Sequence, residues 1–517
     1  MNHAAAHAFP APAGPSATPA SGRLAGRPPT PQLWLCLGLP QLPMEVRSGG
    51  CGDEDARVIV DRAGRVVQAS GPAADCGVAP GLPLNAALAL CPGLLALERD
   101  EAAERAALER LAAWAGAFTS HVSLAPPAAL LLEVQGSLRL FGGLEALRLR
   151  LRQALRGTGH EGREAVAPTP LAALWLARAG DAEAVTDPAL LAGRIGPLRP
   201  AVTGWPAATL ATLRSLGVAS LADCLRLPRA GFARRVGRGP LADLDRALGR
   251  QPDPRAAFRP PSRYRGALEL AAETADTARL ARALGSLFAE LEGFLRARQR
   301  AVSRLVIRFL HLRRPATEMV LGLAAPALEA AHFEALFAAR LERFSLPAPV
   351  ISVALEAAPG EPFDPVAAGL FGDGPGAAAG LRLVERLRAR LGREAVHGLR
   401  LCDEHRPELA WRVAEPGADH YGPADRPAGP AGRRPGWLLA APRPLPSRDG
   451  QPCHEGALRL ESGPERLESG WWDGQEVLRE YWIASTPAGA RLWVFRDLSG
   501  AQERAGGARW FLHGVFG

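Results

Sequence analysis

The chain has 517 residues, 47% of them apolar, and a formal charge of +8 whose cationic side is entirely arginine. That length holds roughly three or four domains with ample core, and no apolar run reaches the ~18 residues a membrane helix needs. Seven cysteines (Cys36, Cys51, Cys76, Cys91, Cys224, Cys402, Cys453) are scattered without a Cys-x-x-Cys pair, which argues against a zinc site and a disulfide framework.

Residues 1–31 are rich in Ala, Pro, Gly and Ser and lack the basic-then-apolar layout of a signal peptide. They read as a disordered tail on a cytoplasmic protein. Leu33-Trp34-Leu35-Cys36-Leu37-Gly38-Leu39-Pro40 reads as a buried strand. Residues 57–70 read as strand, turn at Ala63-Gly64, strand. Residues 102–118 have helical spacing. Residues 128–143, Ala-Ala-Leu-Leu-Leu-Glu-Val-Gln-Gly-Ser-Leu-Arg-Leu-Phe-Gly-Gly, read as a buried strand and a glycine-marked turn, and 144–155 as an amphipathic helix.

Residues 198–255 read as a small helical domain. Leu210, Leu213 and Leu216 lead to Gly217, a helix ending on glycine, and Ser220 with Asp223 forms a capping box for the next helix. From 264 to 357 the pattern is strand (264–270), helix (277–300), strands (304–310 and 317–323), helix (328–344) and strand (350–355). That order, βαββαβ, is ferredoxin-like. Between residues 201 and 360 there are 23 Arg against 14 Asp and Glu, a surplus of nine. A basic middle section suits phosphate contact, and a solvated arginine-rich face is the plain alternative.

Residues 359–380 form a Gly/Pro/Ala linker holding Leu370-Phe371, and 381–396 an amphipathic helix with Leu383, Val384, Leu387 and Leu391 on one face. A separate region follows Cys402. After a Gly/Pro/Arg-rich stretch at 422–436, short aromatic segments such as Tyr481-Trp482-Ile483 and Trp493-Val494-Phe495 suggest a small β domain.

Several of these stretches resemble Y-family DNA polymerases, the DinB/UmuC translesion enzymes. Leu132-Glu133-Val134 and Ser137-Leu138-Arg139-Leu140-Phe141-Gly142 are similar to the family's palm strand, and Gly77-Val78-Ala79-Pro80-Gly81-Leu82-Pro83 to its fingers motif. The resemblance puts the family's metal-binding carboxylates on Gly38, Ala128 and Ala129. It puts the residues that meet the triphosphate on Gly71, Ala74 and Leu174. Phosphoryl transfer by two metals needs carboxylates to hold magnesium, and a triphosphate needs cations. The resemblance therefore implies an α+β multidomain fold whose polymerase ligands are replaced. Palm and fingers would span 32–197, a helical thumb 198–257, a ferredoxin-like little finger 258–358, a linker 359–380 and a β-rich partner-binding region 381–517.

The aromatic C-terminal region is similar to that of a catalytically defective branch of the family, encoded in bacterial mutagenesis cassettes. The resemblance covers nearly everything from residue 33 onward. It implies a non-enzymatic adaptor in DNA-damage-induced (SOS) mutagenesis and translesion synthesis, with neither cofactor nor metal. The implied partners are damaged or primed DNA, the sliding clamp, an ImuA-like RecA-fold companion and an error-prone DnaE-type polymerase. Leu370 and Phe371 resemble a degraded clamp-binding peptide. Arg234, Arg235 and Arg238 of the thumb and Arg300, Arg304 and Arg308 of the little finger are the candidate DNA contacts. Two alternatives stay open: an active translesion polymerase using Asp53, Glu54, Asp55 and Glu133, and a DNA-binding module without a clamp.

Overall fold

The computed structural model describes residues 32–47, 55–360, 376–392, 394–416, 433–499 and 509–517. The chain falls into two compact units. One runs up to Arg298 and includes Phe309–Arg313 and Val350–Leu355, and the other comprises Gln299–Arg308, Arg314–Pro349 and Glu356–Gly517.

The first unit opens with β1 (Trp34–Gly38) and α1 (Leu42–Arg47). A small lobe follows, made of β2 (Arg57–Val60), β3 (Val66–Ala69), α2 (Gly71–Asp75), α3 (Leu84–Leu90) and β4 (Leu95–Glu98). Its sheet runs β3-β2-β4, with β2 antiparallel to β3 and parallel to β4. The lobe closes over its own core of Val58, Val60, Val66, Val78 and Leu94. The chain continues through α4 (Glu101–Ala115), β5 (Val122–Leu124), β6 (Ala129–Glu133), α5 (Leu138–Phe141), α6 (Leu144–Gly157), β7 (Arg163–Ala167) and α7 (Pro170–Ala179).

A second sheet, β5-β6-β1-β7, is antiparallel throughout. Side chains alternate across a strand, so the unbroken apolar run of β1 feeds two cores. Leu35 and Leu37 join Leu130 and Leu132 of β6 on one face, against α4 and α6. Trp34 and Cys36 join Ala129 and Leu131 on the other, against Ala172, Ala173 and Trp175 of α7. The strand that reads as running into a turn stops at Glu133. The segment Leu138–Phe141 is helical, and Gly142 and Gly143, at φ +83° and +112°, lead the chain into α6. Side chains with a Cβ rarely adopt those angles.

The helical domain holds α8 (Leu191–Ile195), α9 (Ala207–Ser215), α10 (Leu221–Arg226), α11 (Arg229–Arg235) and α12 (Arg238–Ala247). The sequence signals hold: Gly217 is left-handed at φ +74°, and Ser220 and Asp223 make the capping box. Leu213, Leu221, Phe232 and Leu244 extend the α7-side core.

The expected βαββαβ order follows: β8 (Tyr264–Thr274), α13 (Thr277–Arg296), β9 (Val302–Leu310), β10 (Thr317–Ala327), α14 (Ala330–Leu341) and β11 (Val350–Ala357). Its strands form one sheet in the order β10-β9-β11-β8. The helix α13 stops at Arg296, short of the expected residue 300, and Gln299 is left-handed at φ +52°, a conformation a right-handed helix cannot contain.

In the second unit α15 (Gly376–Leu391) begins inside the expected linker, on a run of three alanines, the best helix formers. A ribbon of β12 (Gly398–Leu401) and β13 (Trp411–Ala414) comes next. Then follow β14 (Trp437–Leu445), the short pair β15 (Ser447–Arg448) and β16 (Gln451–Pro452), β17 (Arg459–Ser469), β18 (Val477–Ser485), β19 (Arg491–Asp497) and β20 (Trp510–Val515). The small β domain is a five-stranded sheet, β14-β20-β19-β18-β17. Leu492 and Val494 face one core and Trp493 and Phe495 the other. Among the described residues no helix is long and apolar enough to cross a membrane, and the six described cysteines are free.

Candidate functional site

The register of the palm sheet builds a pocket. Gly38 at the end of β1 stands across from Ala129 of β6 on one side and from Arg163 of β7 on the other. The chain beyond β1 stays in place because the Leu39 amide donates to the Ala128 carbonyl at 2.8 Å. Cys36, Gly38, Leu39, Pro40, Ala125, Pro127, Ala128, Ala129 and Arg163 line the pocket, and Leu174, Ala177 and Arg178 of α7 close it, leaving about 210 Å³. Four positions singled out in the sequence, Gly38, Ala128, Ala129 and Leu174, thus meet at one place. No Asp or Glu lines it. The other two, Gly71 and Ala74, are exposed on α2 and are not part of its wall.

The acids of the active-polymerase alternative lie elsewhere or undescribed. Glu133 ends β6 at the edge away from Ala129, and its Oε1 accepts from the Gln135 amide at 3.1 Å. Asp55 is exposed, and Asp53 and Glu54 lie outside the described residues. Among the described residues no group of three or more His, Cys, Asp or Glu is arranged to hold a metal ion.

Instead the pocket has two cations, Arg163 and Arg178, which the sequence reading did not single out. A signal existed for the second: Arg178 follows Leu174 by one helical turn and so shares its face. The Arg178 Nη1 donates to the carbonyls of Val202 (3.2 Å) and Thr203 (3.1 Å), and burial lowers its pKa. Among the described residues neither arginine has a carboxylate partner. Cys36 supplies no negative charge, because burial pushes its thiol up to about 12 against the opposing pull of Arg178 and Arg255.

The thumb arginines divide by partner. Arg226 pairs with Asp223 at 3.1 Å, and Arg229 grips buried Asp245 with two bonds of 2.8 and 2.5 Å. Arg234 and Arg235 at the end of α11 and Arg238 at the start of α12 are exposed, and none has a carboxylate partner among the described residues. In the second unit Arg300 is exposed and donates to the Gly360 carbonyl at 2.8 Å, and Arg304 is exposed on β9. Arg308 is already matched, by Glu356 at 2.7 Å and Glu318 at 3.3 Å. Leu370 and Phe371 lie outside the described residues.

In the C-terminal sheet most aromatics are core. The Tyr481 hydroxyl meets His513 Nδ1 at 2.8 Å, and burial lowers the His513 pKa to about 4. Trp437, Trp471 and Trp472 are instead 71, 76 and 57% exposed.

The impB/mucB/samB family model matches residues 43–178. Protein ImuB of Caulobacter vibrioides, in each of two strains, is 30% identical over 462 residues, covering 85% of this chain and all of the relative. Two solved structures cover 63% of the chain and 98% of their own. DinB from Sulfolobus solfataricus matches at TM-score 0.37 and 16% identity, and an insertion ternary complex of Dbh DNA polymerase at 0.37 and 15%. On the full-length match to its Caulobacter relative, the chain belongs to the ImuB family of Y-family polymerase relatives.

Proposed function

We propose that the protein is a non-catalytic adaptor in damage-induced mutagenesis. It holds damaged or primed DNA and gathers the sliding clamp, an ImuA-like RecA-fold companion and an error-prone DnaE-type polymerase, which performs the synthesis. One observation carries this reading: Gly38, Ala128, Ala129 and Leu174 line a single pocket with no carboxylate in its wall. Metal-assisted phosphoryl transfer there would lack the oxygen ligands that hold magnesium. Arg234, Arg235, Arg238 and Arg304, exposed and without a carboxylate partner among the described residues, support DNA backbone contact. Exposed tryptophans in the C-terminal region support partner capture, since Trp is a common binding anchor. Leu370 and Phe371 are the proposed clamp peptide.

The test pairs two assays on the full chain. Primer extension with all four nucleotides and Mg²⁺ or Mn²⁺ is expected to give no product, while clamp, companion and DnaE-type polymerase are captured. Leu370→Ala with Phe371→Ala is expected to abolish clamp capture alone. Extension by the purified protein would overturn the non-catalytic reading, and failure to capture any of the three partners would overturn the adaptor.

A further inference from the structure

We propose that the palm pocket is a metal-independent anion site that takes a phosphate group, with Arg163 and Arg178 as its ligands. The pocket has about 210 Å³ and an otherwise uncharged wall: Leu39, Pro40, Ala125, Pro127, Ala128, Ala129, Leu174 and Ala177 line it together with the two exposed arginines. Arg163 begins β7 directly across from Gly38. Arg178 is held from behind, because its Nη1 is committed to the Val202 and Thr203 carbonyls. Those bonds satisfy one nitrogen and fix the plane of the fork, leaving Nε and Nη2 for a ligand. Arg255, whose charge also reaches Cys36, is already paired with Asp253 at 2.7 Å and is not one of the ligands.

A cation against an apolar wall, with no carboxylate beside it, interacts more strongly with an anion than it would in open water. The planar fork of arginine matches phosphate oxygens with paired, charge-assisted hydrogen bonds. In a metal-dependent palm, carboxylates hold a cation that in turn holds the phosphate. Here the chain supplies the cations itself, so the sign of the pocket is reversed and the need for metal removed. The arrangement binds and orients a phosphate. Its lining residues hold no group that would accept a proton or coordinate a nucleophile. The ligand is a phosphate monoester or diester, borne either by a free nucleotide or by a nucleic-acid strand.

The experiment titrates the full chain, in EDTA, with inorganic pyrophosphate and dATP by calorimetry. In parallel it compares short oligonucleotides that end in a 3′-phosphate or a 3′-hydroxyl. Arg163→Glu and the milder Arg163→Gln are the variants, each checked for unchanged thermal melting. Arg163 is exposed at the head of its strand, so the fold is expected to survive both. Saturable pyrophosphate or dATP binding that weakens about tenfold or more in Arg163→Glu, the loss of a charge-assisted pair, supports the site with a nucleotide as source. A preference for the phosphate-ended strand that disappears in the variants supports it with a strand as source. No binding by the unaltered protein to any of these probes overturns the proposal. So does binding that both variants leave intact, or binding that appears only when Mg²⁺ is added.

Discussion

Gly293 of α13 lies against Trp114 of α4, so closely that a Cβ built on the glycine would stand 2.1 Å from the indole. One α-helical turn further, a Cβ on Gly116 of the palm would stand 3.0 Å from the Ala297 methyl. The first helix of the βαββαβ domain is therefore packed on the palm at glycine distance, with Leu291, Phe294 and Leu295 buried. Gly293→Val is expected to destabilise the protein by roughly 1–3 kcal/mol, the usual cost of overpacking. Gly231→Ala is the counterpart, since nothing lies within 4 Å of a Cβ there and the residue sits within α11. It is expected to stabilise by about 0.5–1 kcal/mol. Urea unfolding of both variants measures the two signs.

The same contact surface buries a charge network. His160 Nδ1 meets Glu45 of α1 at 2.6 Å, and its Nε2 lies 3.7 Å from Glu290 of α13. Glu290 also accepts from Arg110 of α4 at 2.8 Å and from the Tyr264 hydroxyl of β8 at 3.0 Å. Burial alone would lower the His160 pKa, but its bonds to Glu290 and Glu45 outweigh that and raise it to about 9. A folded value above the unfolded 6.5 means the stabilisation is fully present below pH 6.5 and is lost as the pH rises through about 9. The chain has no lysine, but buried Cys36 and Cys224, whose thiols are pushed up to about 12 and about 11, also cost stability as the pH approaches and passes 9, so the histidine is read from the difference between the unaltered protein and a variant. Melting temperature is expected to fall from pH 6.5 to 9.5, with a shallower fall in His160→Gln. An unchanged slope in the variant would show that the histidine is not the group involved.

Local pattern carried the fold further than it carried the site. The capping box at Ser220, the glycine stop at Gly217 and the strand alternation of 264–357 depend on neighbours in sequence, and each is present. What failed was non-local or purely conformational. Arg298 and Arg300 read as helical until the left-handed Gln299 excludes them. The Gly293–Trp114 and His160–Glu290 contacts join residues far apart in the chain. The site divided in the same way. Counting along motifs found Gly38, Ala128, Ala129 and Leu174, but only sheet register brings Arg163 beside Gly38. Arg308 looked like its neighbour Arg304, until Glu318 and Glu356 folded against it.

Trp471 and Trp472 stand edge to face at 5.5 Å on the turn between β17 and β18. Their turn is fixed by Arg406, which donates to Asp473 at 2.6 Å and to the Gln475 carbonyl at 3.2 Å. A rigid, exposed aromatic pair has the character of a binding anchor. Trp471→Ala with Trp472→Ala is expected to weaken capture of the companion or the DnaE-type polymerase by about tenfold or more, with melting unchanged because little packing is lost. Unaltered capture of both would move the partner surface to another part of the C-terminal region.

The thumb arginines give the DNA reading its most quantitative test. Binding that neutralises phosphates releases counterions, so log K falls linearly with log salt by about 0.9 for each phosphate contact on duplex DNA. Arg234, Arg235 and Arg238 are exposed and, among the described residues, unmatched by carboxylates. If each meets one phosphate, Arg234→Ala, Arg235→Ala and Arg238→Ala together are expected to flatten the salt slope by about 2.7 and weaken binding alike on any sequence. Arg308→Ala is the control, since that guanidinium is held by Glu318 and Glu356 and its loss is expected to leave the slope unchanged. Fluorescence anisotropy on a primed duplex across a salt series reads both. A triple variant whose slope matches the unaltered protein would remove the thumb from the DNA interface.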